Sequence, residues 1–312
     1  FSLRDCPAID YIVKGEGELA FINLVHNLRS GNEEDVNGVV YLKDEEYHVS
    51  TLAPRLVNIN NMPWPAWHLL DVEAYFKPNF TMGISHGRNI AILATRGCPY
   101  QCTFCSNPQM WTTRYIMRPV SDVVDEIEYL YNEFGVRYFQ FMDDNLTYDK
   151  NRMLEICDLI IKRNLNIQFD TPNGVAVYKL DPFVVDAMVD AGLVQVCAAI
   201  ETGSEYIRNK VMKKGLKNEK VYEILEAISK HNHVMIKGFF IIGMPEETHG
   251  TLEETYTMIK NLPLDKIGVF FATAYPGTEL FEFCRKNNLL EYMGSTRSNE
   301  DLDSAEITLA YL

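Results

Sequence analysis

From Ile90 onward, apolar runs alternate with amphipathic stretches, and this alternation constrains the chain more than any other feature. The runs 90–94, 137–142, 167–171, 193–200, 234–242 and 267–273 read as buried strands. Helical stripes lie between them. Ser121 is placed to cap a helix in which Val123, Ile127, Leu130, Tyr131 and Phe134 share a face, and Gly135 ends it. Met153, Leu154, Cys157, Ile160 and Ile161 line a second helix over 150–163. Asp181 and Pro182 start a third that Gly192 stops, and further helices are expected over 222–228, 252–262 and up to Asn288. Six βα units in succession require a parallel sheet with right-handed crossovers. A full eight-unit barrel takes about 250 residues, and the span available is roughly 200. The expected class is α/β: a partial (β/α)6 TIM-like barrel.

Ligands of such barrels gather at the C-terminal ends of the strands. Each unusual cluster of the sequence falls just there: Asp143-Asp144-Asn145, Asn173-Gly174, Glu201-Thr202-Gly203-Ser204, Gly243-Met244-Pro245 and Tyr275-Pro276-Gly277. The richest follows the first strand, where Cys98, Cys102 and Cys105 stand at C-x3-C-x2-C. With 7 cysteines in 312 residues, that spacing arises by chance roughly three times in a thousand. Three thiolates select zinc, copper(I) or an iron–sulfur cluster. Zinc would want a fourth protein ligand, commonly from a second C-x2-C or an H-x3-H pair, and neither occurs. A [4Fe–4S] cluster on three cysteines leaves one iron open. The plainer alternative is three structural cysteines. Carboxylates at Asp143, Asp144 and Glu201 would suit a positively charged ligand at the mouth. Each has an alternative as a helix cap or a salt-bridged residue, and Glu246 and Glu247 as the start of a helix. Cys157 and Cys197 fall on a helix stripe and in a strand and read as structural, whereas Cys6 and Cys284 have no assigned place. The histidines form no ligand spacing. Tyr100 and Tyr275 lie near the mouth, to touch substrate or to pack.

The cysteine spacing, with Phe104 before the last cysteine, resembles the signature of the radical S-adenosylmethionine superfamily. The resemblance implies a [4Fe–4S] cluster on Cys98, Cys102 and Cys105 whose open iron binds the amino and carboxylate groups of S-adenosylmethionine. It also implies reductive cleavage of that cofactor to methionine and a 5′-deoxyadenosyl radical, which takes hydrogen from substrate. Asp143 and Asp144 stand where the family receives the amino group, although Asp-Asp replaces the better-known Gly-Gly-Glu. Glu201, with Ser204 beside it, resembles the fourth-strand motif for the ribose or methionine moiety. The run Gly238 to Thr248 resembles the fifth-strand motif beside the adenine, with Gly243 letting a flat ring approach and Ile241 or Ile242 as the apolar wall. Backbone atoms at Phe104 would bind the same ring.

Upstream, a strand over 8–13, the turn Lys14-Gly15-Glu16-Gly17-Glu18, a helix over 19–28 and a hairpin of 38–42 with 47–49 resemble the last unit of a cobalamin-binding domain. The barrel would then be preceded by a remnant of a Rossmann-like α/β domain. The expected division is 1–57 for that remnant and hairpin, 58–84 for a proline-bearing linker extended over 58–67, 85–290 for the barrel, and 291–312 for the start of a C-terminal region. The chain begins at Phe rather than Met, which suggests a fragment. The family subclass is the one that includes anaerobic magnesium-protoporphyrin monomethyl ester cyclase and cobalamin-dependent methyltransferases. It implies methylation or cyclisation of a small-molecule or tetrapyrrole-like substrate, a flavodoxin or ferredoxin as reductant, and cobalamin in the full-length protein. The cobalamin motif D-x-H-x-x-G is absent from these residues. A formal charge of −14 argues against a broad nucleic-acid surface. No apolar run has the length of a membrane span. Free cysteines without a disulfide pattern suit a reducing cytoplasm. In a different class, the chain would be an iron–sulfur electron carrier or binding protein without radical catalysis.

Overall fold

The computed structural model describes residues 2–31, 36–76 apart from 52, 54–55, 57–58 and 61, then 87–292 and 307–309. The far part of the expected linker and most of the expected C-terminal region lie outside the described residues. Near the N-terminus, β1 (Tyr11–Val13), β2 (Val39–Lys43) and β3 (Glu46–Val49) form an antiparallel sheet in that order. The helix Gly17–Ser30 joins β1 to β2. Asp44 and Glu45 turn the β2–β3 hairpin with positive φ of 52° and 65°, the primed-turn geometry that matches the twist of paired strands.

The six long strands are β4 (Asn89–Ile92), β7 (Tyr138–Phe141), β8 (Gln168–Val175), β9 (Leu193–Glu201), β10 (Met235–Ile242) and β11 (Lys266–Phe271). They pair in parallel, with the order β11-β10-β9-β8-β7-β4. Neighbours in sequence are neighbours in space, as βα crossovers dictate. A two-stranded ribbon of β5 (Thr95–Arg96) and β6 (Ile116–Met117) flanks the cysteine loop. Among the described residues no helix is long and apolar enough to cross a membrane.

Alternation along the strands divides the residues between two faces. Phe139, Phe141, Phe169, Val196, Ile200 and Phe240 are buried in one core with the helix residues Val123, Ile127, Leu130, Ile156, Ile160 and Met188. Tyr138, Gln140, Asp170 and Gln195 occupy the other phase and are buried as well, giving the barrel a polar interior. A second, smaller core of Ile207, Met212, Met244, Ala272, Leu280, Phe281 and Cys284 lies under the cysteine loop, with Phe104 packed against it. This gives Cys284 its place.

Three local expectations change. The helix expected from Ser121 begins at Val120 with Pro119 as its cap residue, and no side chain caps it. The fixed φ of proline organises the entry instead. Asn173-Gly174, expected after the third strand, lies inside β8, where the register to β9 shifts between Thr171 and Val175. Gly174 holds φ +96° in this irregularity, and its missing Cβ leaves room for Ala199 and the Cys197 carbonyl. The stretch 58–67 is not extended to its end, because Trp67–Leu69 forms a 3₁₀ turn. The indole N–H groups of Trp64 and Trp67 donate to Asp122 (2.8 Å) and Glu126 (2.9 Å) on the first barrel helix, Val120–Glu133.

Candidate functional site

The cysteine loop leaves β5 through Gly97, whose φ of +84° turns the chain. Carboxylates from the loop after β7 hold its root. Asp143 is buried and accepts from the Ala94 N–H (3.1 Å) and the Thr95 hydroxyl (2.5 Å). Burial pushes its carboxyl up to about 6, against the pull of those hydrogen bonds and of Arg152. Asp144 is exposed and takes the Gly97 N–H at 3.2 Å with one oxygen. Asp143 is thus consumed at the root of the loop, whereas Asp144 keeps an oxygen toward solvent.

The loop's far side is bonded to two other elements. The Thr103 N–H and hydroxyl donate to the Met212 and Val211 carbonyls at 3.1 and 2.9 Å, and the Leu280 N–H donates to Thr103 at 2.9 Å. Cys98, Cys102 and Cys105 are free thiols of intermediate exposure. The Asn145 amide lies 3.5 Å from Cys98 Sγ, and the Asn107 N–H donates to Cys105 Sγ at 3.4 Å. Burial raises the Cys102 thiol to about 11 and raises Cys105 too; the Lys214 ammonium draws both down.

Lys214 was not legible as a site residue. It lies after the π-helical turn Ile207–Val211, past Lys213 at φ +57°. Its Nζ meets Glu201 Oε1 at 2.5 Å, with side chains only 12% and 8% exposed. Burial pulls the lysine down, yet Glu201 and the cysteines outweigh it and hold the ammonium above its ordinary range. Glu201 ends β9 with φ +69°, beside a register shift against β10 between Phe239 and Phe240. Such a bulge re-aims a side chain.

Arg208 fastens this end of the sheet. It is fully buried and donates to the Ile200 (3.0 Å), Thr202 and Leu216 (3.0 Å) carbonyls and to Asn218 Oδ1 (2.8 Å). Burial lowers it to about 10 despite the nearby Glu205 and Glu201. A Cβ on Gly203 would stand 2.6 Å from Thr255 Cα and closer still to the Glu254 carbonyl oxygen. Only glycine lets the Glu201–Ser204 turn press onto the helix His249–Asn261. Ser204 is buried within that turn.

After β10, Gly243 adopts φ +87° and donates to Glu247 Oε2 at 2.5 Å. Glu247 closes this turn, and the next helix is capped by Thr248 with Thr251 in a reciprocal capping box. Glu246 bonds to Tyr206. A cleft of about 510 Å³ opens between Phe104, Glu201, Phe239, Ile241, Ala272 and Tyr275. Ile241 rather than Ile242 forms its wall. A separate groove of about 380 Å³ reaches Cys102 and Cys105 from outside. Another cavity, of about 240 Å³, lies under Trp64 and Trp67, away from the cysteines. Tyr100 packs edge-on against Tyr148 and Tyr178, at ring-centroid separations of 5.9 and 5.2 Å.

Among the described residues, no three His, Cys, Asp or Glu side chains converge as ligands of one metal ion. A cubane takes each cysteine on a different iron, so its sulfurs stay apart. Three soft thiols, with N–H groups at two of the sulfurs, suit such a group.

The sequence profile of the Radical SAM superfamily matches residues 92–259. An uncharacterised methyltransferase of Pyrococcus horikoshii is 31% identical over 291 residues, covering 93% of this chain and 61% of that protein. An anaerobic magnesium-protoporphyrin IX monomethyl ester cyclase of Rubrivivax gelatinosus is 30% identical over 287 residues, covering 90% and 50%. The radical S-adenosylmethionine methyltransferase TsrM of Kitasatospora setae, solved with tryptophan and an S-adenosylmethionine analogue, shares the fold. Its TM-score is 0.77 at 18% identity, covering 95% of this chain and 59% of that one. The same enzyme with cobalamin and a [4Fe-4S] cluster gives 0.72 at 18% identity, covering 92% and 55%. The chain therefore spans about three-fifths or less of each of these proteins.

Proposed function

The chain belongs to the Radical SAM superfamily and has the fold of cobalamin-dependent members, and from that premise we propose that it is the catalytic barrel of a radical S-adenosylmethionine enzyme. Cys98, Cys102 and Cys105 would hold a [4Fe–4S] cluster, and the cleft beside Phe104 would take S-adenosylmethionine. When bound, the two supply reductive cleavage of the sulfonium and a 5′-deoxyadenosyl radical. The observation that carries the reading is that the three thiols and the Glu201–Lys214 pair meet at one mouth, Cys102 in the outer groove and Glu201 in the inner cleft.

Each residue then has a task. Glu201 accepts hydrogen bonds from ribose hydroxyls or the ligand's amino group. Lys214 pairs with that carboxylate and offsets negative charge at the sulfurs. Asp144 offers its solvent-facing oxygen to the ammonium, while Asp143 holds the loop root. Ile241 lines the cleft as the wall for a flat ring, and Gly243, without a Cβ and at φ +87° just past β10, would leave that ring room to approach. Ser204 holds the turn that presents Glu201. Phe104, Phe239 and Ile241 give the cleft an apolar lining.

The relatives' activities, a methyltransferase and a cyclase by name, support methylation or cyclisation of a small molecule, with an electron from a flavodoxin or ferredoxin in a reducing cytoplasm. We assign 1–57 to the remnant of a cobalamin-binding-like unit, 58–84 to the linker, 85–290 to the barrel and 291–312 to the start of a further region. Cobalamin then belongs to a longer chain, because one βα unit with a hairpin cannot enclose a corrin.

Anaerobic reconstitution tests this. About four irons and four sulfides per chain are expected, lost in Cys98→Ala, Cys102→Ala and Cys105→Ala but kept in Cys157→Ala. With dithionite and S-adenosylmethionine, mass spectrometry should find 5′-deoxyadenosine. A cluster without that product would leave the electron-carrier reading; full iron retention in Cys102→Ala would refute the cluster assignment.

A further inference from the structure

The two glutamates of the Gly15-Glu16-Gly17-Glu18 turn do not belong to the barrel, yet both reach its cysteine loop. Glu16 is buried, with its side chain 4% exposed. Its Oε2 accepts the Leu56 N–H at 2.8 Å, and its Oε1 lies 3.2 Å from the Arg96 guanidinium. Glu18 Oε1 takes the other arm of Arg96 at 2.5 Å. The Trp111 ring, just past the cysteines, lies 5.7 Å from the guanidinium carbon. Arg96 stands two residues before Cys98.

Four residues in a row are therefore gripped by carboxylates. Asp143 holds Ala94 and Thr95, Glu16 and Glu18 hold Arg96, and Asp144 holds Gly97. Cys98 follows. This arm has little order of its own, since its only ladder is the two-residue pairing of β5 with β6 and Gly97 interrupts it with positive φ. A guanidinium fork between two carboxylates fixes direction as well as distance. Arg96 and Glu16 are largely shielded from water, at 19% and 4% side-chain exposure, so salt screens them less than a surface pair.

We propose that Glu16 and Glu18, acting through Arg96, are positioning residues for Cys98, so that the N-terminal unit sets the place of one cluster ligand. The clamp itself is read from geometry alone; its bearing on the cluster rests on the function proposed above. Whatever moves the N-terminal unit then moves Cys98 relative to Cys102 and Cys105, which the π-helical turn and the last barrel helix hold independently through Thr103.

The test uses the metal-free full chain, so it does not depend on whether a cluster forms. Alkylation of each cysteine by iodoacetamide is followed by peptide-resolved mass spectrometry in wild type, in the Glu16→Gln, Glu18→Gln double variant, and in Arg96→Gln and Arg96→Lys. Cys98 should react roughly fivefold faster or more in the double variant and in Arg96→Gln, the population change that a contact of about 1 kcal/mol represents. Cys102 and Cys105 should stay within about twofold on the same scale, and buried Cys157 and Cys197 should stay protected. Arg96→Lys keeps the charge without the fork and should fall between. If Arg96→Gln exposes Cys157 through unfolding, the ratio of Cys98 to Cys102 in Arg96→Lys decides. An unchanged Cys98 rate in the folded variants overturns the proposal, as does an equal rise at all three loop cysteines. Loss of iron binding in wild type would overturn the cluster assignment and leave this ratio intact.

Discussion

Replacing Lys214 by Met removes the cation facing Glu201 and keeps most of the stem's volume. The Nζ–Oε1 distance is 2.5 Å and the two side chains are 12% and 8% exposed, so the pair is close to the buried limit. Two unit charges 4 Å apart attract by about 4 kcal/mol at an effective dielectric constant near 20, and desolvation of both offsets much of that. Breaking a buried pair from one side costs about 3–5 kcal/mol, because the remaining charge is left alone. With the residual exposure we expect a loss of roughly 2–4 kcal/mol. The Lys214 pKa is raised in the fold, so its contribution is complete below the unfolded lysine value and is lost only as pH climbs through the higher folded one. Measurements at pH 7.5 therefore see the whole effect. Urea unfolding of the metal-free chain by circular dichroism, with Lys214→Met, Glu201→Gln and the double variant, completes the cycle. The double variant should recover more than half of the Lys214→Met loss, since the neutral amide that replaces the Glu201 carboxylate has no charge to strand. A Lys214→Met change below about 0.5 kcal/mol, or strict additivity of the two, would refute the reasoning.

Gly203→Ala drives a Cβ into the backbone of the helix His249–Asn261; a loss of about 1–3 kcal/mol is expected from overpacking, read as a lower urea midpoint. Arg208→Met leaves the Ile200, Thr202 and Leu216 carbonyls without their donor. At about 1–3 kcal/mol per stranded group, it should lower the melting temperature more than Gly203→Ala does. Glu201→Gln should weaken S-adenosylmethionine binding by roughly ten- to a hundredfold in calorimetry of the reconstituted protein, if a charged hydrogen bond of about 1.5–3 kcal/mol is lost.

The barrel was legible because each strand and helix advertises itself within its own ten or fifteen residues. Val123, Ile127 and Leu130 were read as one face and are all buried, and Asp181 caps its helix by accepting from the Val184 N–H. The three cysteines were legible for the same reason, being close in sequence. What stayed hidden depends on closure of the sheet. Asp143 and Asp144 could be placed at the mouth, but their partners at Ala94, Thr95 and Gly97 follow from β7 lying beside β4. Lys214 and Arg208 sit in the charged run between Glu205 and Lys220, where no apolar periodicity marks a buried residue. Burial appears only when the π-helical turn folds back under Glu201. The run Lys213-Lys214-Gly215, nine residues past the predicted mouth turn at Glu201–Ser204, was the available signal.

The polar barrel interior carries the last prediction. Asp170 is fully buried on β8, with the Gln140 and Gln195 amides 3.5 and 3.3 Å from its Oδ2. Burial pushes its carboxyl up to about 6 from the ordinary 3.8, and hydrogen bonds from Tyr138 and Gln140 draw it back only in part. A carboxyl with a raised folded pKa holds its proton more tightly in the fold than in the unfolded chain. Its favourable contribution is complete below about pH 4 and is lost as pH rises through about 6. Two units at 1.36 kcal/mol each put the ionised form about 3 kcal/mol behind the protonated one as an upper figure. Asp170→Asn has the shape of the protonated acid, keeps an acceptor for the glutamines, and does not titrate. The variant should exceed wild type by about 1–3 kcal/mol at pH 8 and match it within about 0.5 kcal/mol at pH 4. Asp143, raised in the same way, is present in both chains and cancels in the difference. Urea midpoints at pH 4, 6 and 8 measure the crossing. A variant destabilised equally at all three values would mean that Asp170 serves the fold as a carboxylate, and the ionisation cost assigned to it here would be wrong.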